Sequence, residues 1–271
     1  MFFFPLFDNN PTKDRPIISW IIIFLCIIVY MWQITLSDFE QKLIFLKFGI
    51  IPSTLFGISS LPSDIYSISP ILTIFTSMFL HGSIMHLLSN MLYMWIFSDN
   101  IEDQIGKVKF IIFYFLCGFF AALTQSLIDP ESNIPMIGAS GGIAGILGAY
   151  IILFPKAYVR VFLLILIFIR IVSFPAWLVL GFWILGEFIS APINLSSDGG
   201  VAYFAHIGGF ISGVILIYFF KEKNVSSVVN LKKNKKNIMT QPITFNDLKN
   251  EAKLRYKSYV PSVRKKRKNI N

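Results

Sequence analysis

Six long apolar runs determine what this chain of 271 residues can fold into. Hydrophobic residues make up 55% of the sequence, charged residues 14%, and the mean hydropathy is +0.65. Each run has about 16–21 residues, close to the ~20 that a helix needs to cross the hydrocarbon core of a bilayer. Lipid offers no partner to free backbone groups, so each run is predicted to be a helix. The runs cover residues 17–36, 78–97, 108–128, 140–155, 174–191 and 201–220.

The chain is therefore predicted to be an all-α polytopic membrane protein with six transmembrane helices. Residues 1–16 are expected to form a cytoplasmic N-terminal segment, 17–220 the membrane domain, and 221–271 a disordered tail. The tail holds 15 Lys and Arg against 3 acids, a net charge of +12, whereas the rest of the chain is −3. Such a polar, basic tail is typical of segments that contact anionic lipids. No nucleic-acid partner is expected, because no folded binding motif accompanies the charge.

A seventh apolar run, residues 158–169, has only 12 residues and is flanked by two arginines. This length favours an interfacial or re-entrant piece over a span. A span at this point would also reverse the last helix and place His206 a bilayer's width from Ser140. With six spans, the helix starts near 78, 140 and 201 all lie on one membrane face.

The distribution of Lys and Arg predicts the orientation, because cytoplasmic loops are enriched in both. One side of the membrane carries both termini and most of the basic residues, so both termini are predicted to be cytoplasmic. The other side carries Lys42 and Lys47, within a long connection over 37–77 whose apolar stretches favour an interfacial position. Before the tail, the basic residues on the cytoplasmic side are Lys13, Arg15, Lys107, Lys109, Lys156 and Arg160.

Two polar side chains lie within apolar runs at positions suited to nucleophilic chemistry. Ser140 begins the fourth run, where a helix N-terminus supplies free N–H groups and a positive dipole for a developing oxyanion. His206 lies in the sixth run and is suited to act as the general base that activates a serine hydroxyl. Polar groups within hydrocarbon are costly and are functional candidates for that reason. The alternatives are a packing serine and a structural histidine.

Glycines around both side chains predict close helix contact. The fourth run and the two residues before it contribute Gly138, Gly141 and Gly145, and the sixth run contributes Gly209 and Gly213 in a small-xxx-small pattern. Two helices lined in this way can bring a serine hydroxyl within reach of an imidazole.

His86 and Asn90 are four residues apart in the second run and therefore share a helix face. Both side chains can donate a hydrogen bond to one oxygen, so they are candidates for an oxyanion site. A polar clamp between helices is the alternative. His81 is expected to point elsewhere and to have a structural role.

No metal or cofactor is expected. The His-Glu-x-x-His pattern of zinc proteases is absent, and no acid stands beside His86 or His206 in the sequence. Cys26 and Cys117 each lie in an apolar run as packing residues. Glu187, near the outer end of the fifth run, is an intramembrane acid and hence a functional candidate, with snorkelling to the outer surface as the alternative.

With these motifs the chain resembles the rhomboid intramembrane serine proteases of the simple six-helix prokaryotic type. The resemblance extends over about residues 8–220. It implies an integral protein of a prokaryotic plasma membrane that cleaves transmembrane segments, with nucleophile Ser140, general base His206 and no third acid. An oxyanion hole would include the Ser140 N–H, His86 and Asn90. The carrying segments are 81–90, 138–141 and 205–209, with the polar stretches 8–12 and 97–103.

Two departures from the family pattern are visible. The stretch 69–73 lacks the Trp-Arg pair that many members carry in the first external loop. Ala144 occupies the position, four residues after the nucleophile, where some members have a tyrosine stacked on the base. The orientation of the base is therefore expected to differ. A non-catalytic rhomboid-like binding or quality-control factor and a transporter or channel remain alternatives. The intact Ser140 and His206 argue against the first, and the lack of a convincing internal repeat argues against the second.

Overall fold

The computed structural model describes residues 2–62, 65, 68–165, 168–193 and 201–221. The predicted tail lies outside these residues apart from Lys221, so the division between a membrane domain and a tail stays a prediction. In chain order the elements are β1 (Phe2–Asp8), α1 (Ile17–Gln33), α2 (Asp38–Phe48), α3 (Pro52–Leu55), α4 (Pro70–Thr76), a 3-10 turn (Ser77–Phe79), α5 (Ile84–Ile105), α6 (Lys107–Ile128), α7 (Ser140–Leu153), β2 (Tyr158–Ile165), β3 (Phe168–Pro175), α8 (Ala176–Ile193) and α9 (Tyr203–Phe220).

The described chain is mostly helical and has the composition of an integral membrane protein, as predicted. Among the described residues, α6, α8 and α9 are long and apolar enough to cross a bilayer. The α4 segment and α5 together form a fourth candidate, bent by 84°. Helices α1 and α7 are apolar but shorter, with 17 and 14 residues. The count of six spanning helices therefore stays a prediction.

The second predicted run is broken at residues 80–83. Helix α5 begins only at Ile84, after the Ser83 side chain accepts a hydrogen bond from the His86 backbone N–H at 3.1 Å. The helix also continues eight residues beyond the predicted end, through a polar stretch. It ends at Gly106, whose φ of +79° allows the chain to turn directly into α6.

Contacts with the N-terminal segment explain why the polar end of α5 is buried. Asn10 and Asn100 exchange two hydrogen bonds of 3.0 and 3.1 Å, in which each amide donates to the other residue. The Asp103 carboxylate accepts from the backbone N–H of Asp14 at 2.9 Å. The structure thus joins the two polar stretches, 8–12 and 97–103, that the sequence analysis noted separately.

Helix α7 lies at the centre of the bundle. It packs against α5, α6 and α9, and all nine residues from Gly142 to Tyr150 are buried. A helix that is apolar on every side is expected to be enclosed in this way. With 14 residues it is about 21 Å long, which is shorter than the ~30 Å hydrocarbon core.

A small antiparallel sheet, in the order β1-β2-β3, lies beside the helices of this mostly helical chain and is not predicted from the sequence. The described residues of the run 158–169 belong to β2 and β3, with β1 paired to β2. The run is thus not a spanning helix, and its interfacial position stays a prediction. The valines of β2 favour a strand, and Val159 and Val161 are both buried in the core. A strand also needs a hydrogen-bonded neighbour, here a segment about 150 residues away in the sequence.

Candidate active site

Ser140 is the first residue of α7, at the end of the helix where backbone N–H groups lack helical partners. The chain reaches it through Gly138, whose φ of +123° favours glycine. The Gly138 N–H donates to the Ser77 carbonyl at 2.9 Å and ties this turn to the segment before α5. Ser140 is half-buried, and within the described ranges its hydroxyl makes no side-chain hydrogen bond.

Helices α7 and α9 run parallel and touch through their backbones. A methyl group at Gly209 would collide with the Gly141 carbonyl, and one at Gly213 with the Gly145 carbonyl. Four of the five predicted contact glycines therefore lie at helix contacts. Because His206 comes three residues before Gly209, this crossing brings His206 and the start of α7 to the same end of the helix pair.

Gly138 is the fifth predicted contact glycine, and the structure gives it a different position. It lies before α7, outside the helix, in the left-handed region of backbone conformation. A methyl group on Gly138 would lie 2.6 Å from His86 Nε2 and 3.6 Å from Asn90 Nδ2. Its close neighbours are thus two polar side chains of α5.

His86 and Asn90 present their nitrogens to the turn that leads into Ser140. Both occupy the first two turns of α5, which Ser83 caps. Asn90 is 7% exposed, and its Nδ2 has no hydrogen-bond partner among the described residues. An unpaired buried donor is costly, and this one lies beside the turn that leads into Ser140.

The His206 ring bonds to an acid. Nδ1 of His206 lies 2.8 Å from Oε2 of Glu187 on α8, and the two side chains are 12% and 13% exposed. The family resemblance, which implies a histidine with no third acid, does not predict this contact. Glu187 thus has a partner within the bundle, and its functional role stays a prediction.

Trp183 lies one turn before Glu187 on α8, and its ring centroid is 6.0 Å from that of His206, with an angle of 35° between the rings. No motif in the sequence points to this tryptophan. The available signal was its spacing of four residues from the one acid of α8, which places both on one helix face. Ala144 lies on α7, four residues after Ser140, and has no aromatic ring that could stack on His206.

His81 lies closer to the site than predicted. Its ring centroid is 5.1 Å from that of His86, at an angle of 67°, so it does not point elsewhere. Both backbone groups of His81 bond to the Gln33 side chain of α1, at 3.1 and 3.2 Å. The His81 ring thus packs against the His86 ring.

No group of three or more His, Cys, Asp or Glu side chains could hold a metal ion in the part of the chain that the structure describes. The chemistry available to the arrangement is that of a hydroxyl, an imidazole, a carboxylate and two further N–H donors. This set fits acyl transfer by a serine nucleophile.

The family model of the Rhomboid domain matches residues 69–223, more than half of the chain. The chain belongs to the rhomboid family. The match covers α4 to α9 and therefore every residue of the candidate site.

Relatives of this rhomboid chain come from plants, animals and bacteria. RHOMBOID-like protein 4 of Arabidopsis thaliana is 31% identical over 144 residues, which are 51% of this chain and 31% of the relative. Presenilin-associated rhomboid-like protein A, mitochondrial, of Danio rerio is 29% identical over 154 residues, 54% of this chain and 37% of the relative. Rhomboid protease GlpG of Salmonella typhi is 23% identical over 148 residues, 55% of this chain and 47% of the relative. The chain thus spans less than half the length of each.

Proposed function

We propose that this rhomboid chain is an intramembrane serine endopeptidase, with Ser140 as nucleophile and His206 as general base. The observation that carries the proposal is the parallel crossing of α7 and α9 at Gly141–Gly209 and Gly145–Gly213. It brings the two side chains to one end of a closely packed helix pair. The family membership and the relative named as a protease support the same activity.

The proposed reaction follows from the chemistry of these groups. Nε2 of His206 takes the proton of the Ser140 hydroxyl as its oxygen attacks the scissile carbonyl. The oxyanion accepts hydrogen bonds from His86, Asn90 and the Ser140 N–H. His206 then gives its proton to the leaving amine, and a water molecule, activated by His206 in turn, hydrolyses the acyl-enzyme.

The proposed substrates are transmembrane segments of other membrane proteins. Because positive charges are concentrated at the opposite ends of the helices, we place Ser140 in the outer half of a plasma membrane with both termini in the cytoplasm. A substrate helix must unwind before its peptide bonds can be attacked, and Gly or Pro lowers the cost of unwinding. Cleavage is therefore expected near the external end of the substrate helix, beside small residues.

The test uses purified full-length protein in liposomes with a panel of single-span proteins. Wild type should produce two fragments, whose masses locate the cut in the external half of the span, and Ser140→Ala should produce none. Cuts on the cytoplasmic side would overturn the orientation. Equal cleavage by wild type and Ser140→Ala would overturn the assignment of the nucleophile.

A second candidate is a non-catalytic rhomboid-like factor that binds membrane proteins. The observation in its favour is that the Ser140 hydroxyl makes no hydrogen bond to His206 in the structure. Catalytic hydrogen bonds are often long before substrate binds, so this geometry does not exclude a protease. A fluorophosphonate, which reacts only with an activated serine, separates the two. Labelling of wild type but not of Ser140→Ala supports the protease, and absence of labelling supports the binding factor.

A further inference from the structure

We propose that Glu187 is a positioning residue that holds His206 in its reactive tautomer, so that the site operates as a Ser140–His206–Glu187 relay. This inference rests on the proposed function and deepens it. It departs from the dyad without a third acid that the family resemblance implies. Glu187 acts through His206 and does not itself contact the substrate.

The first support is the contact itself. A distance of 2.8 Å between Nδ1 and Oε2 is that of a hydrogen bond between charged or polar partners. Both side chains are about seven-eighths shielded from solvent within the described chain. A carboxylate in such a place is costly unless it is paired, and His206 supplies the pairing.

The second support is the chemistry of the two ring nitrogens. An ionised carboxylate can only accept hydrogen bonds, so Nδ1 must carry a proton. In a neutral imidazole Nε2 is then unprotonated and can accept the proton of Ser140. After that transfer the ring is a cation with a proton on each nitrogen, and the Glu187 carboxylate balances its charge. A cation in this shielded site would otherwise lack compensation.

The third support is the neighbourhood of the ring. Trp183 packs against His206 from the same face of α8 that carries Glu187. The centroid of its ring is also 6.3 Å from that of Phe210 on α9. Helix α8 thus supplies both a ring neighbour and a hydrogen-bond acceptor. Trp183 and Glu187 can therefore orient the His206 ring from α8, which Ala144 on α7 cannot do.

A structural clamp between α8 and α9 is the competing explanation of the contact. A clamp requires only a hydrogen bond, so Glu187→Gln would preserve the clamp. Glu187→Ala would break the clamp and lower the stability of the protein or weaken substrate binding. The relay requires the carboxylate, so both Glu187→Gln and Glu187→Ala would lower kcat and leave KM and the melting temperature near their wild-type values. The two explanations therefore differ in which quantity changes.

The kinetic test compares wild type, Glu187→Gln and Glu187→Ala in liposomes, with Phe188→Leu as the matched control on the exposed side of α8. In soluble triads the loss of the orienting acid lowers kcat by about 10⁴, and we expect about 10²-fold or more here. KM, melting temperature and the control should stay near wild type. Wild-type kcat in Glu187→Gln, or a change in KM alone, would overturn the proposal.

A spectroscopic test keeps this inference separate from the proposed function. Nitrogen NMR of ¹⁵N-labelled histidine rings, assigned with His206→Ala, should show a protonated Nδ1 and an unprotonated Nε2 in wild type. Glu187→Ala should give a mixture of tautomers. Identical His206 signals in both proteins would overturn the inference even if wild type cleaves substrates. If wild type cleaves none, the proposed function fails while the NMR result still decides the role of Glu187.

Discussion

The Glu102 carboxylate accepts two hydrogen bonds from Ser19, one from its backbone N–H at 2.8 Å and one from its hydroxyl at 2.7 Å. It also accepts from the Ile18 N–H at 3.0 Å, so a side chain of α5 caps the start of α1. Pro16 precedes that helix and supplies no side-chain cap. The anion is well placed at a helix N-terminus, where the macrodipole favours negative charge.

Glu102→Ala should therefore destabilise the protein. Hydrogen bonds to charged groups contribute about 1.5–3 kcal/mol, and we expect a loss of roughly 2–3 kcal/mol. Thermal unfolding in detergent measures it, with Glu131→Ala, an exposed acid, as the control. A melting temperature for Glu102→Ala equal to that of the control would contradict the capping role.

Ser140→Ala and His206→Ala should each abolish cleavage while leaving the protein folded. The double variant should be no worse than either single one, because two residues that act as a unit do not contribute additively. Fragment yield against time measures the activity, and unfolding temperature checks the fold. More than a few per cent of wild-type activity in either single variant would rule out the assignment.

His86→Ala and Asn90→Ala should lower kcat without abolishing it. Loss of one oxyanion donor typically costs about 10²–10³-fold in rate. The effect of Asn90→Ala is expected to be the smaller, because His86 and a backbone N–H remain. A kcat that is unchanged in both variants would remove these side chains from the mechanism.

Gly213→Ala should disrupt the crossing of α7 and α9, because its methyl group would collide with the Gly145 backbone. Overpacking of a well-packed site costs about 1–3 kcal/mol, and here neither helix has a flexible side chain to move aside. The matched control is Gly181→Ala on α8, where an added methyl group meets nothing within 4 Å. In a helix that control should be neutral or stabilising by roughly 0.5–1 kcal/mol. Equal melting temperatures for the two variants would show that the close approach is not required.

Removal of residues 222–271 should leave kcat on a detergent-solubilised substrate nearly intact. The segment is basic and polar, so we expect its loss to weaken attachment to anionic lipid in a salt-dependent manner. Flotation with liposomes that contain or lack anionic lipid measures this. A truncated protein that is folded but inactive would show that the tail contributes to catalysis.

Hydropathy alone located the apolar helices to within a few residues, because spacing and composition are local properties. It was less accurate where tertiary contacts decide a boundary. The end of α5 was predicted at residue 97, since a polar stretch normally leaves a span. In the structure Asn100 and Glu102 are buried and bond to Asn10 and Ser19, and the helix continues to Ile105.

The same limit applies to the candidate site. Ser140, His206, His86 and Asn90 could be proposed from the sequence because each lies in a short motif with recognisable chemistry. Glu187 could be noted only as an acid in an apolar run, and Trp183 not at all. Their role depends on how α8 packs against α9, and no spacing within one helix contains that information.

By itself, then, the amino-acid sequence determined a helical membrane protein with a serine, three histidines and glycine-lined helices in a fixed order. The tertiary structure decided which of these groups meet. It paired β1 with β2, placed Gly138 beside His86 and Asn90, and joined Glu187 to His206 by a hydrogen bond. The physical reason is that hydropathy and helix periodicity act over a few residues. Hydrogen bonds and ring contacts between elements depend on packing across the whole bundle.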